Sequence, residues 1–449
     1  MNIIAPLAIV LFHVTTVMTP LFWGACSNSH GEESHSFENP VCVDLNCKIK
    51  EILNSASPCK TLEHCDTIDV TLRPKSHMKK SHSERILVID RDIRLAPYTR
   101  YKSRVLDHLI VNKEGEYISN PQMLKVPKPV FEVLSVLLDE ENPSTPAFQL
   151  NAVGSTFVRY LTCLDYNSGH GEEIFGTLAE LNPEAEFVLA DFFYLNRDGF
   201  CEANRSAEAL ERYKKNLRKI SSSLSETIEN YQIDYVNMSF GHGKEKFEES
   251  WVRSCQGRTP NKEFFLELQK VLFAEFYEPL FANKNVVFVQ AAPYSMRGLV
   301  LGADPEFYID SQSIDNRLVV SGFSEEDPKL PILGSNNTGL LKDLFMKGPW
   351  ESVDVYINFG VSHTYPYTKG PYPVLMSTEG VGADALFTRP SASSATPVGL
   401  SYMNYLKKSR LIEGSGQDLV SNFRKYHQGK LVEPARYKQF EIYRLGRLP

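Results

Sequence analysis

The chain has 449 residues, of which 42% are hydrophobic and 23% are charged, a composition typical of a globular protein with one large domain or two smaller ones. Its formal net charge at pH 7 is −7 and it contains no long basic patch, which argues against a general nucleic-acid-binding protein.

The N-terminus has the composition of an export signal. Residues 1–25 contain no Asp, Glu, Lys or Arg and include long apolar runs. We predict a signal peptide over residues 1–27, since cleavage after Ser27 would place small residues, Ala25 and Ser27, at the recognised positions. Cys26 leaves a bacterial lipoprotein signal open as an alternative. We therefore expect a secreted, periplasmic or cell-envelope protein, with membrane attachment only if Cys26 is lipidated.

Residues 28–84 form a polar, cysteine-rich N-terminal extension. The chain has eight cysteines. Four of them, Cys42, Cys47, Cys59 and Cys65, lie close together without the CxxC pairs that favour metal binding. In an exported chain this spacing predicts two local disulfides. The extension is either a propeptide that is clipped or a disulfide-linked cap that stays on the domain.

From residue 85 the chain alternates short apolar runs with amphipathic segments of helical length. This alternation predicts an α/β fold with a largely parallel sheet. Strands are predicted at 86–89, 187–190, 235–238, 285–289 and 318–320, and helices at 171–180, 206–230, 262–282 and 396–410. Residues 411–449 are predicted to be a C-terminal extension that packs on the domain.

Three separate segments carry residues suited to nucleophilic catalysis. Asp90 ends the apolar run 86–89, His170 lies between two glycines before a predicted helix, and Ser393 precedes another predicted helix. A carboxylate, an imidazole and a hydroxyl form a serine nucleophile with its base when they meet in space. The chain order Asp, His, Ser is that of the subtilisin triad and differs from the chymotrypsin and α/β-hydrolase orders.

With these motifs and the segments between them, residues 85–410 resemble the subtilisin-like serine peptidases, or subtilases. The resemblance implies a subtilisin-like three-layer fold with a mostly parallel central sheet flanked by helices. It also implies that Asp90 orients His170, that His170 acts as general base and then general acid, and that Ser393 is the nucleophile. The further landmarks that agree in order are 182–191, 236–241, 285–292 and 353–360.

The same resemblance assigns substrate binding to Ser239, Phe240 and Gly241, which would pair with an extended peptide as an added strand. It also places Tyr294 at the position of the family's oxyanion asparagine, after Pro293 in place of a glycine. Losing one oxyanion donor typically lowers turnover by about 10²–10³-fold.

Two further departures flank the triad. Ser391-Ala392 replaces the usual Gly-Thr before the nucleophile, and Glu172 and Glu173 follow His170 where the family has Thr and His. If either glutamate lies near His170, its charge raises the histidine pKa.

The predicted function is a secreted serine endopeptidase that hydrolyses peptide bonds, slowed by the change at the oxyanion position. The alternative is a catalytically inactive, subtilase-like protein that binds peptides. A protein or peptide is the expected partner, and no nucleic acid is expected. The sequence specifies no cofactor or metal ligands; calcium is common in the family, but no carboxylate spacing defines a site.

Overall fold

Short apolar runs form the strands, and longer amphipathic segments form the helices. The computed structural model describes residues 66–72, 83–91, 93, 101–120, 123–128, 170–193, 195–240, 244–256, 259–292, 314–326, 353–362, 392–428, 435–438 and 440–444. In chain order the strands are β1 (Thr67–Thr71), β2 (Arg85–Asp90), β3 (Val105–Val111), β4 (Tyr117–Ser119), β5 (Met123–Pro127), β6 (Glu186–Asp191), β7 (Tyr235–Met238), β8 (Val287–Ala291), β9 (Arg317–Glu326), β10 (Val355–Ser362), β11 (Ala435–Tyr437) and β12 (Phe440–Arg444). The helices are α1 (His170–Leu181), α2 (Ala207–Asn230), α3 (Lys244–Ser254), α4 (Lys262–Leu272), α5 (Glu278–Phe281), α6 (Ala392–Lys408) and α7 (Gly416–Gln428).

The described strands form a mixed sheet and a separate antiparallel pair, β1 with β5. The mixed sheet has the order β11-β12-β10-β9-β8-β7-β2-β6-β3-β4. From β10 to β3 in this order, each strand runs parallel to its neighbour. Antiparallel strands extend both sides, β4 beside β3 and the β11-β12 hairpin beside β10. The predicted α/β fold with a mostly parallel sheet is confirmed.

Strand β2 is buried along its whole length, and its side chains belong to two different hydrophobic clusters. Ile86 and Val88 belong to a hydrophobic cluster that includes residues of α1, α6 and α7. Leu87 and Ile89 belong to a second cluster that includes residues of α2, α3 and α4. Because successive side chains of a strand point to opposite faces, helices cover the sheet on both sides. The architecture has three layers, helix-sheet-helix.

Helices α2 and α6 show two ways of covering a sheet. Ser206 caps α2 by accepting a hydrogen bond from the Ala209 amide, and the helix buries one stripe of side chains. Helix α6 is buried on nearly all sides. A side chain at Gly399 would place a Cβ 2.7 Å from Val320 Cγ2 of β9. The glycine therefore lets α6 lie directly against the sheet.

The C-terminal segment is built into the same layers. Helix α7 contributes to the first cluster, and β12 pairs with β10. The Arg424 guanidinium of α7 donates to Asp354 Oδ1 at 2.7 Å and to the Arg317 carbonyl at 2.8 Å. Since Asp354 also accepts from the Val319 amide at 2.8 Å, this ion pair holds α7 to the start of β9.

Part of the N-terminal extension also packs on the domain. Strand β1 lies before residue 85 and pairs with β5, and Val70 and Leu72 are buried in the cluster that contains Ile86. This packing is compatible with both a retained cap and a propeptide, so both interpretations stand. The predicted signal peptide, 1–27, lies outside the described residues.

The predicted elements lie close to the observed ones, with two informative differences. The helix predicted over 262–282 is α4 and α5 joined by a π-helical turn at Phe273–Tyr277. The helix predicted over 396–410 starts too late, since α6 begins at Ala392. Pro397, a residue type that is favoured in a first helical turn, lies inside α6.

A disulfide joins Cys201, in the turn before α2, to Cys255, directly after α3. Both cysteines pack against the second cluster. The two local disulfides predicted among Cys42, Cys47, Cys59 and Cys65 lie outside the described residues.

Replacing both Cys201 and Cys255 by alanine is expected to lower the free energy of unfolding by about 2–4 kcal/mol, because the unfolded chain loses a cross-link between distant residues. Urea unfolding of the double variant and the wild type, without reductant, measures this. Adding a reductant should lower the free energy of unfolding of the wild type more than that of the double variant. Coincident unfolding midpoints without reductant would show that the bond does not stabilise this region.

Candidate active site

Asp90 is the last residue of β2, at the carboxyl end of the central strand. Neighbouring β6 and β7 both run parallel to β2. The chain passes from β2 to the β3-β6 side and then crosses to β7 on the other side, so the strand order reverses here. In open parallel sheets, ligands bind outside the carboxyl ends of the strands at such a reversal. Asp90 therefore lies where a binding crevice is expected.

His170 is the first residue of α1 and contacts Asp90 directly. Its Nδ1 lies 2.8 Å from Asp90 Oδ1, which also accepts the Arg91 amide at 2.7 Å. The Asp90 side chain is 3% exposed and that of His170 is 33% exposed. The Asp90 carboxylate can only accept a hydrogen bond. In the neutral imidazole the proton therefore sits on Nδ1, and Nε2 has a lone pair. Such an imidazole can take a proton from a hydroxyl group.

Gly171 makes the approach of α1 to β2 possible. Its amide donates to the Arg91 carbonyl at 2.8 Å. A Cβ at this position would lie 2.4 Å from the same carbonyl oxygen, 2.5 Å from Ile93 Cγ1 and 3.0 Å from Asp90 Cβ. Distances this short exclude any side chain without a shift of the helix start. The glycine after His170 is therefore required by the hydrogen bond between His170 and Asp90.

The surroundings of His170 favour its charged form. Burial alone lowers the His170 pKa, but the hydrogen bond that His170 donates to Asp90 and the Asp90 charge outweigh this effect. Glu173 adds a smaller contribution in the same direction, and Arg91 opposes it. The net result is a pKa above the 6.5 of an unperturbed histidine. The sequence-based hypothesis that a following glutamate raises the His170 pKa agrees with this direction for Glu173.

Ser393 lies in the first turn of α6 and is partly exposed. The next residue, Ser394, donates its hydroxyl hydrogen to Glu173 Oε1 at 3.0 Å. Glu173 lies one helical turn after His170 on α1. The first turns of α1 and α6, which carry His170 and Ser393, are therefore adjacent. The amide groups at a helix N-terminus favour negative charge nearby.

The far end of α1 is also joined to the second half of α6 by polar side chains. Asn182, directly after α1, donates to Ser401 Oγ at 2.7 Å and accepts from Asn404 Nδ2 at 2.9 Å. All three residues are buried. A buried polar group of three residues of this kind fixes the register of the two helices, because a shift would leave buried polar atoms without hydrogen bonds. The helix that carries His170 is thus bonded to the helix that carries Ser393 at both ends.

The substrate-binding residues expected from the sequence lie at the end of β7, next to β2. Ser239 is buried, and its Oγ accepts from Asn237 Nδ2 at 2.9 Å. The Phe240 ring packs edge-on against Phe192, which follows β6, with centroids 4.5 Å apart. Since β6 and β7 flank β2, the two partly buried rings meet at the edge that carries Asp90. Gly241 lies outside the described residues.

The expected oxyanion position is at the end of the next strand. β8 ends at Ala291, and the Ala292 amide donates to the Val320 carbonyl at 2.8 Å. Pro293 and Tyr294 lie outside the described residues. The replacement of the family's asparagine therefore remains a sequence-based prediction.

A second histidine-carboxylate pair was not predicted. His108 of β3 is buried, and its Nε2 lies 3.0 Å from Oδ1 of Asp191. Asp191 is the register partner of Asp90, and its side chain is 41% exposed. The adjacent polar residues Asp107 and His108 interrupt an apolar run. For this reason the sequence pattern predicted neither strand β3 nor the pair of His108 with Asp191. Among the described residues, no group of three or more His, Cys, Asp or Glu side chains is arranged to hold a metal ion.

Comparisons with known proteins assign no family. No family model and no curated protein matches the chain. Among solved structures, it is similar to a family 18 chitinase from Crocus vernus at 12% identity, with 62% of this chain and 91% of the chitinase chain covered and a TM-score of 0.17. That similarity is too low to support an argument about fold or function. Among the described residues, no helix is both long and apolar enough to cross a membrane.

Gly171→Ala is expected to destabilise the protein by about 1–3 kcal/mol, because the added methyl group forces α1 away from the end of β2. Urea unfolding measures the loss, and a histidine NMR titration shows whether His170 moves away from Asp90. Unchanged stability together with an unchanged His170 titration would show that the helix start accommodates a side chain.

Asp90→Asn is expected to lower the His170 pKa, since the carboxylate stabilises the imidazolium and burial then acts with less opposition. Two-dimensional NMR of the histidine rings across pH measures the shift. The matched control is Asp191→Asn, which removes the neighbouring carboxylate that bonds to His108. If both variants shift the His170 pKa equally, the hydrogen bond to Asp90 is not what raises that pKa.

Proposed function

We propose that this protein is a secreted subtilisin-like serine endopeptidase with Asp90, His170 and Ser393 as its catalytic residues. The observation that carries the proposal is the hydrogen bond between His170 Nδ1 and Asp90 Oδ1 at 2.8 Å, at the carboxyl edge of the sheet. The bonded first turns of α1 and α6 support it, because they hold Ser393 beside the helix that begins with His170.

In the proposed mechanism, Ser393 Oγ attacks the carbonyl carbon of a peptide bond while His170 Nε2 takes its proton. The buried Asp90 carboxylate stabilises the resulting imidazolium and keeps the ring orientation. His170 then donates that proton to the leaving amine, and an acyl ester on Ser393 remains. Water, deprotonated by His170, hydrolyses the ester and restores the serine. Amides at the start of α6 would stabilise the negative charge on the carbonyl oxygen.

An extended peptide is the proposed ligand because the site lies at the ends of parallel strands. Residues 239–241 would pair with the substrate backbone as an added strand. The Phe192 and Phe240 rings would give this edge an apolar surface. Export agrees with the disulfide between Cys201 and Cys255, since disulfides persist in oxidising compartments.

The proposed enzyme is slow. If Tyr294 occupies the position of the oxyanion asparagine, the loss of that donor lowers turnover by about 10²–10³-fold. The same substitution is the observation that favours the second candidate, an inactive protein that binds peptides without cleaving them.

Labelling with a fluorescent fluorophosphonate tests the proposal, since the reagent reacts with activated serines. We expect the purified mature protein to be labelled. The label should be lost in Ser393→Ala, reduced at least 10³-fold in His170→Ala, and kept in Ser391→Ala, the matched control two residues away. Labelling that survives Ser393→Ala would reject the triad. A folded wild type that is not labelled but binds peptides, equally with and without Ser393, would favour the binding protein.

A further inference from the structure

Glu173 links the two helices that carry the proposed base and nucleophile. It follows His170 by one turn of α1, so both side chains lie on the same side of the helix. Its Oε1 accepts the Ser394 hydroxyl at 3.0 Å. Ser394 is 4% exposed and directly follows Ser393 in the first turn of α6. The bond therefore joins the two helices beside their functional residues.

The physical character of this bond suits a positioning function. A hydrogen bond to a charged carboxylate is stronger than one between neutral groups, and burial of Ser394 makes its loss costly. The buried Asn182 contacts hold the opposite end of α1 to the second half of α6. A pair of helices bonded at one end can still open at the other. Catalytic geometry is sensitive at this scale, since a displacement of 1 Å can cost about 10²-fold in rate.

We propose that Glu173 is a positioning residue of the serine site: its carboxylate holds the first turn of α6 against the first turn of α1 and so fixes Ser393 relative to His170. This inference rests on the proposed peptidase function for its effect on rate. The contact between Glu173 and Ser394 stands independently of that function.

Glu173 has a second effect, which comes from its charge and can be separated from the bond. Among the described residues, the charged groups that act on His170 are Asp90 and Arg91 from the end of β2 and Glu173 from α1. Glu173 and Asp90 both raise the His170 pKa, and Arg91 lowers it. A general base must be neutral, so loss of the Glu173 charge moves the rise of activity to lower pH.

Three substitutions separate the bond from the charge. Ser394→Ala removes the bond and keeps the charge. Glu173→Gln removes the charge and keeps an oxygen that can accept the Ser394 hydroxyl. Glu173→Ala removes both. The rate of fluorophosphonate labelling is measured against pH for each full-length variant, and the His170 pKa is measured by NMR on the same proteins.

We expect Ser394→Ala and Glu173→Ala to lower the plateau labelling rate by about 10- to 100-fold. Glu173→Gln should keep a higher plateau rate than Glu173→Ala, because the amide oxygen can still accept the Ser394 hydroxyl. The rise of the pH profile and the His170 pKa should move to lower pH in both Glu173 variants and stay in place in Ser394→Ala. Equal plateau rates in the Gln and Ala variants, or an unchanged rate in Ser394→Ala, would overturn the proposal.

An unlabelled wild type would mean that the peptidase proposal has failed, and a double-mutant cycle then decides the inference about Glu173. Unfolding is measured for the wild type, Glu173→Ala, Ser394→Ala and the double variant. A coupling of about fivefold or more in the unfolding equilibrium constant supports the bond between the helices. Additive effects would reject it.

Discussion

Strand β2 is the constraint on which the rest of the structure depends. It is buried along its length, paired on both sides, and packed against helices on both faces. A charged residue at either end must therefore find a partner, since an unpaired buried charge is very costly. Arg85 at the start donates to Glu186 at 2.8 Å and to the Tyr231 carbonyl at 2.9 Å. Asp90 at the end meets the same demand with His170.

The two ends differ in what their partners can do. The partners of Arg85 are a carboxylate and a backbone carbonyl, so that end is a structural connection. The partner of Asp90 is an imidazole, which can gain and lose a proton near neutral pH. The strand order reverses beside β2, so the titratable end faces the place where parallel sheets bind ligands. Burial and topology together thus place a histidine that can gain and lose a proton at this end of the strand.

The sequence predicted the parts of this arrangement that depend on local pattern. The central strands are short apolar runs between turn residues, and α2 shows a clear helical stripe. The proximity of Asp90 and His170 followed from the order of three motifs. The bond between Glu173 and Ser394 joins residues 221 positions apart, so no local pattern reveals it. The requirement for Gly171 depends on the path of Arg91 and Ile93, which only the fold defines. Likewise, β3 was missed because Asp107 and His108 are satisfied by partners distant in sequence.

Three departures from the expected subtilase pattern are close in sequence to the ends of elements. Glu173 is in the first turn of α1, Ser391 precedes α6, and Tyr294 follows β8. Of these, Glu173 belongs to neither buried cluster, so it can change while the packing of the sheet is kept. The Glu173 charge raises the His170 pKa, and the Glu173 carboxylate accepts the Ser394 hydroxyl that joins α1 to α6. In the proposed peptidase, a change at this one position would therefore alter how fast the serine reacts while the two buried clusters stay in place.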